Sequence, residues 1–139
     1  MKFEPIEPPR EFGVGHRGGR LRHVGDAWLG DDEVLTLRTP SGTEVDVSRK
    51  AWGYYATPSL NGRLRDFGLR AVLTIGVPRD GEASTRMYLM LVEDGEEAAF
   101  EEYLAAEEMR VVAWLDSDDA VAEAARLLES GGRRGKQSE

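Results

Sequence analysis

The sequence contains no cysteine, which removes disulfides, thiolate metal sites and cysteine nucleophiles together. It has two histidines, His16 and His23, so a three-histidine zinc site cannot be built within one chain. Long hydrophobic runs are also missing. The opening MKFEPIEPPREF carries acids and prolines where a secretory signal needs an apolar core, and no later run approaches membrane-spanning length, so the cytoplasm is the expected location. Positive charge is in deficit: 18 Lys and Arg stand against 26 Asp and Glu, a formal charge of -8. Such a surface repels nucleic acid and anionic membranes on average, and neither is an expected partner.

What is present describes a folded domain. The chain has 139 residues, enough for one core and too few for two ordinary ones. Its apolar residues fall into short periodic runs, against disorder. Residues 1–20 are dense in proline and glycine and are expected to form a flexible arm with turns, residues 21–130 a single domain, and residues 131–139 a disordered tail.

Three runs with strand character follow the arm: LRHVGDAWL, EVLTLRT and TEVDVSRKAW, separated by the turn-forming GDDE and PSGT. They predict an amino-terminal antiparallel three-stranded meander. Thr57 as a cap, Pro58 at the first helical position and Gly68 as a stop then predict a helix with Leu60, Leu64 and Phe67 on its inner face. Gly62, inside that helix, suggests a close packing contact with its backbone. RAVLTIGV and RMYLMLV, apolar at nearly every position, predict strands buried on both faces. Asp94 with Glu97 predicts a capping box for a helix presenting Phe100, Tyr103 and Leu104 to the core. RVVAWL is a further strand, and Ser117 caps a last helix with Val121, Ala124, Ala125 and Leu128 inside, stopped at Gly131. The expected fold is α+β with a mixed sheet: the meander, then α-β-β-α-β-α, the strands around the capping-box helix lying parallel in one sheet.

The chemistry-bearing candidates are few. GVGHRG, Gly13 to Gly18, matches the dinucleotide pattern G-x-G-x-x-G, but the strand before it and the helix after it are missing, so it is a loop. Arg17, Arg20 and Arg22, beside the histidines, form a small basic patch that pairs with the protein's own acids or receives an acidic partner. Glu96, Glu97, Glu101, Glu102, Glu107 and Glu108 make a solvated helix face.

WLDSDDAV resembles the first motif of haloacid-dehalogenase phosphatases, in which one aspartate is the nucleophile and a second the acid/base, with magnesium between them. Only these residues carry the resemblance, and about twenty residues follow Asp119. The alternative is a serine cap with Asp118 and Asp119 opposing the helix dipole.

The stretch KAWGYYATPSLNGRL gathers Trp52, Tyr54 and Tyr55 with Thr57, Ser59, Asn61 and Arg63 at the expected helix start. Aromatic faces suit a sugar ring and a helix amino terminus suits an anion; the competing account is a packed corner. Together with FGLRAVL, YLMLVE and WLD, the stretch is similar to small bacterial proteins of uncharacterised activity associated with surface-polysaccharide or protein-glycosylation gene clusters. That resemblance implies a sugar-related role and no residue's function. The leading expectation is a non-catalytic accessory or ligand-binding domain for an anionic sugar or nucleotide-sugar-like metabolite, without cofactor or metal. The alternatives are a protein-interaction module or homodimer, and a small enzyme using Asp116, Asp118 and a histidine.

Overall fold

The computed structural model describes residues 1–15, 18–78 and 85–137. The amino-terminal segment is a strand: β1 (Lys2–Val14) pairs antiparallel with β2 (Gly19–Trp28) in a two-stranded ribbon, where a flexible arm was expected. Proline density misleads here because β1 has a partner on one side only. Pro8 and Pro9 fall in an irregularity between Pro5 and Arg10, where no ladder hydrogen bond is required of them. Of the glycines of GVGHRG, Gly13 lies within β1, Gly15 and Gly18 are turn residues with φ of 74° and 71°, and Gly19 resumes a strand instead of opening a helix. His16 and Arg17 lie outside the described residues.

The meander exists, one strand further on than expected. β3 (Val34–Arg38), β4 (Glu44–Lys50) and β5 (Gly53–Tyr55) form a sheet in that order, because the chain turns back at Ala51–Trp52 instead of running on towards a helix. No helix begins at Thr57 or Pro58. Residues 57–59 are bend and irregular chain, residues 60–62 a turn, and α1 is the short segment Arg63–Asp66 with Gly62 at its amino end. The Ser59 hydroxyl accepts from the Arg63 amide, and a Cβ on Gly62 would sit 2.8 Å from that hydroxyl. Gly62 therefore does mark a close approach, made by its own neighbour.

The centre of the fold is β6 (Leu69–Gly76), flanked by β7 (Met87–Glu93) and β8 (Met109–Trp114), both antiparallel to it. β7 and β8 thus run in the same direction with β6 between them. Every pairing among the described residues is antiparallel, so the expected mixed sheet resolves into three small antiparallel sheets in an α+β fold. β6 meets the expectation of burial on both faces: Leu69 and Ala71 join Leu64 and Leu115 in the core, with Val45, Leu60, Leu73 and Ala124 packed around them. Val72 and Thr74 alternate to the opposite face, where α2 (Glu97–Ala106) supplies Leu104, and Phe100 meets Trp114 edge to face. β7 differs because it is an edge strand; Met87, Tyr88 and Leu89 are exposed.

Two helix expectations also need correction. α2 starts without a side-chain cap, so the Asp94–Glu97 box does not form, and Tyr103 faces solvent. α3 (Asp118–Gln137) does begin at Ser117, whose hydroxyl accepts from the Ala120 amide, but it continues through Gly131. Val121 and Ala124 are half-buried, whereas Ala125 and Leu128 are exposed because the core ends before the helix does.

Candidate functional site

Strand alternation gives the ribbon two unlike faces. Register pairs Phe3 with Ala27, Pro5 with Gly25, Phe12 with Leu21 and Val14 with Gly19 on one face. Lys2–Trp28, Glu4–Asp26, Glu11–Arg22 and Gly13–Arg20 make the other. Side-chain contacts agree with this division. The Phe3 ring lies over Gly25, where an added Cβ would come within 2.5 Å of it, and the Arg10 guanidinium covers the Phe12 ring at 5.2 Å. On the opposite face Lys2 stands over Trp28 at 5.1 Å, and Arg20 meets Glu11 at 3.4 Å.

The same face carries the Arg10–His23 pair, and its apolar side chains stay exposed. Phe3 is 55% exposed, Leu21 53%, Val14 38% and Phe12 36%. The ribbon meets the body at its ends: the terminal amine bonds Glu33 at 3.1 Å, and Gly15 lies against the Glu107 carboxylate. Of the expected basic patch, Arg20 and Arg22 lie on the charged face, Arg20 bridging to Glu11, and Arg17 is outside the described residues. The arginines pick out the charged face of the ribbon. The signal for the other lies in KFEPI and EFGVG, whose Phe3, Pro5, Phe12 and Val14 recur with a period of two.

The KAWGYYATPSLNGRL candidates do not converge as expected. Trp52 sits at the β4–β5 turn, 70% exposed, its ring 5.7 Å from Tyr55 in an edge-on contact; Tyr54 and Tyr55 are each 57% exposed. The aromatics are therefore no packed corner. Beside them lies an open pocket of about 220 Å³ lined by Asp32, Glu33, Val34, Ser48, Arg49, Lys50 and Tyr55. Its cations are already committed: Arg49 pairs with Asp31 and Lys50 with Asp32 at 2.5 Å, raising the lysine's pKa through that hydrogen bond. The polar group has structural partners. Asn61 donates to Asp118 at 2.8 Å, Arg63 donates to Asp46 at 3.1 Å, and the Ser59 hydroxyl accepts from the Arg63 amide at the start of α1. Thr57 lies in the turn ahead of α1 and caps no helix. The four residues of α1 are too few to give a developed helix dipole, so the anion-binding terminus is not formed.

Asp116, where the phosphatase resemblance would place a reactive aspartate, is buried beneath two arginines. Arg70 donates to its Oδ2 at 2.6 Å and Arg65 at 3.2 Å, with Arg65 also bonding its backbone carbonyl. Arg70 then reaches Glu97 at 3.1 Å and stacks over Trp114 at 4.2 Å. The bond to Asp116 is the main cause raising Arg70, while Glu97 is lowered first by its own backbone amide and then by Arg70. This network ties α1, β6, α2 and the end of β8 together. Asp118 is turned to Asn61 in the first turn of α3, and His23 bonds Asp26 at 2.8 Å within the ribbon, so no aspartate–aspartate–histidine set assembles among the described residues, which do not include His16. Among the described residues no group of three or more His, Asp or Glu converges as a metal site, and no helix is long and apolar enough to cross a membrane.

Comparison with protein-family models, curated proteins and solved structures finds no match to this chain.

Proposed function

We propose that this protein is a non-catalytic protein-interaction module whose docking surface is the apolar face of the β1–β2 ribbon. One observation carries the reading: Phe3, Phe12, Val14 and Leu21 share one face of a two-stranded sheet and stay exposed, while the other face carries Lys2, Glu4, Glu11, Arg20, Arg22 and Asp26 beside Val24 and Trp28. An isolated two-stranded ribbon is marginally stable, and an apolar face on one is a surface awaiting cover. A photo-crosslinking residue in place of Leu21 should give a discrete protein adduct in cells producing the chain, and one in place of Arg22 far less. Equal yields at both positions, or none at either, would overturn the reading.

A second reading is favoured by the exposed aromatics. Trp52 and Tyr55 offer ring faces next to an open pocket with a hydroxyl and two cations, a surface suited to a saccharide. The anionic or nucleotide-linked form has less support than a neutral sugar, because Arg49, Lys50 and Arg63 already hold carboxylates. A thermal-shift series with neutral saccharides, sugar phosphates and nucleotide sugars, repeated on Tyr55→Ala, tests it. A shift lost in the variant supports the site; a shift kept there, or none with any ligand, rejects it.

A further inference from the structure

We infer that the occupant of the ribbon's apolar face is an amphipathic helix of another protein, carrying one carboxylate in its apolar stripe that is set against Arg10. The inference rests on the reading of the ribbon as a docking surface and adds the partner's chemistry.

Arg10 is the reason to expect an acid. It stands opposite His23 on the same face as Phe3, Phe12, Val14 and Leu21. Its guanidinium lies over the Phe12 ring at 5.2 Å and holds no ion pair among the described residues. Cations on the opposite face are placed differently: Lys2 holds Glu4 at 2.7 Å and Arg20 holds Glu11 at 3.4 Å. Asp26 is engaged by the His23 ring at 2.8 Å.

Docking turns this arrangement into a constraint. An apolar segment laid over Phe3, Phe12 and Leu21 takes Arg10 out of water, and a charge desolvated without a partner is costly. The covering segment must therefore bring the anion itself. A guanidinium stacked on a ring keeps its N–H edge turned outward, and that edge matches a carboxylate through two parallel hydrogen bonds. The surroundings favour the same sign. Residues 10–23 hold four arginines and one glutamate in a chain of formal charge -8, so the turn end of the ribbon is a positive region on an acidic molecule and draws an acid to this spot.

The dimensions of the face suit a helix. A strand would add at an edge of the ribbon and leave the face open, whereas a face two side chains wide is covered by one helix about 10 Å across. Packing against a helix is also a way in which a marginal ribbon gains stability. Along β2 the Arg10–His23 row lies two residues from the Phe12–Leu21 row and four from the Phe3–Ala27 row, roughly 7 and 13 Å. A helix spans those distances in a little over one turn and a little over two. The acid is thus flanked by apolar residues about one turn away on one side and about two turns away on the other.

The probe is a capped helical peptide of about 18 residues, with leucines along one stripe and a single glutamate within that stripe, beside a counterpart with glutamine at that position. Fluorescence anisotropy reads the binding of each to the full chain. The wild-type chain should bind the glutamate peptide at least about 10-fold more tightly than the glutamine peptide, and Arg10→Gln should lose that preference. Leu21→Asp should lose both peptides, whereas Arg22→Gln, on the other face, should keep the preference. Thermal unfolding of each variant shows whether the body still folds. Equal binding of the two peptides by the wild-type chain, or a preference that survives in Arg10→Gln, overturns the inference, as does a chain that binds neither peptide at about 100 µM. Binding to phosphatidylserine vesicles that is lost in Leu21→Asp would assign the face to a membrane and overturn it as well. Failure here is distinguishable from failure of the broader reading. Any of these contrary results with a Leu21-specific protein adduct still formed in cells refutes only the acid-bearing helix; the same results without an adduct refute both.

Discussion

β6 and β1 are both extended chain paired with neighbours, yet they hold their places for different reasons. β6 has a strand on each side and a layer on each face, so Leu69, Ala71, Val72 and Thr74 are all buried. β1 has one neighbouring strand, and of its thirteen residues Ile6 alone is half-buried. A strand like β6 is made by packing; a strand like β1 is made by its ladder alone, which is marginal in water. An element that the chain's own core does not explain is therefore the natural place to seek a partner.

Truncating one side chain in each region would break this comparison most sharply. Leu64, fully buried beside Leu69 and Ala71, should lose about 2–5 kcal/mol on substitution by alanine. Phe12→Ala should change the body's urea-unfolding free energy by less than about 0.5 kcal/mol, since an exposed ring fills no cavity there. Comparable losses would mean that ribbon and body form one cooperative core.

Asp116→Asn should follow in size. It leaves Arg70 with Glu97 and Trp114 but removes the anion between α1 and β8, and about 2 kcal/mol is expected from urea unfolding. Arg65 is half exposed and contributes the smaller part. Thr74→Val should act in the opposite direction. The Thr74 hydroxyl is buried without a hydrogen-bond partner among the described residues, so replacing it with a methyl of similar size should raise stability by about 1 kcal/mol.

The smallest effect is that of acid on the body. Three hydroxyls, led by Thr39 and followed by Ser41 and Thr43, lower the Glu93 pKa. Asp46 is lowered by Thr36 and then Arg63, and Glu97 by its own amide and then Arg70. Carboxyls with depressed folded-state values add stability above their unfolded values and lose it as pH falls through the folded ones. The melting temperature should thus be flat from pH 6 to 5 and decline below about pH 4. Glu93→Gln should blunt that decline; an unchanged acid profile would contradict the assignment.

The sequence made the body legible because its signals are redundant there. β6 is apolar in nearly every position, Ser117 precedes two aspartates, and Gly68, with φ of 89°, ends the α1 segment as a stop should. Where a single local cue stood alone, tertiary structure overrode it. Thr57–Pro58 reads as a helix start, but the chain needs those residues as a turn to bring Leu60 and Leu64 over the sheet. Gly131 reads as a stop, yet α3 continues past it. The Asp116 network joins residues 46 and 51 positions apart, a distance no local pattern spans. The ribbon was hidden by its own prolines, since composition does not reveal that a strand is paired on one side only.

Hydrogen exchange of the purified chain, comparing ribbon amides with those of β6, tests the central claim most directly. If the ribbon is held by its ladder alone, its amides exchange quickly while those of β6 exchange slowly. Ribbon amides as well protected as those of β6 would contradict it, because the ribbon would then be stable without any partner.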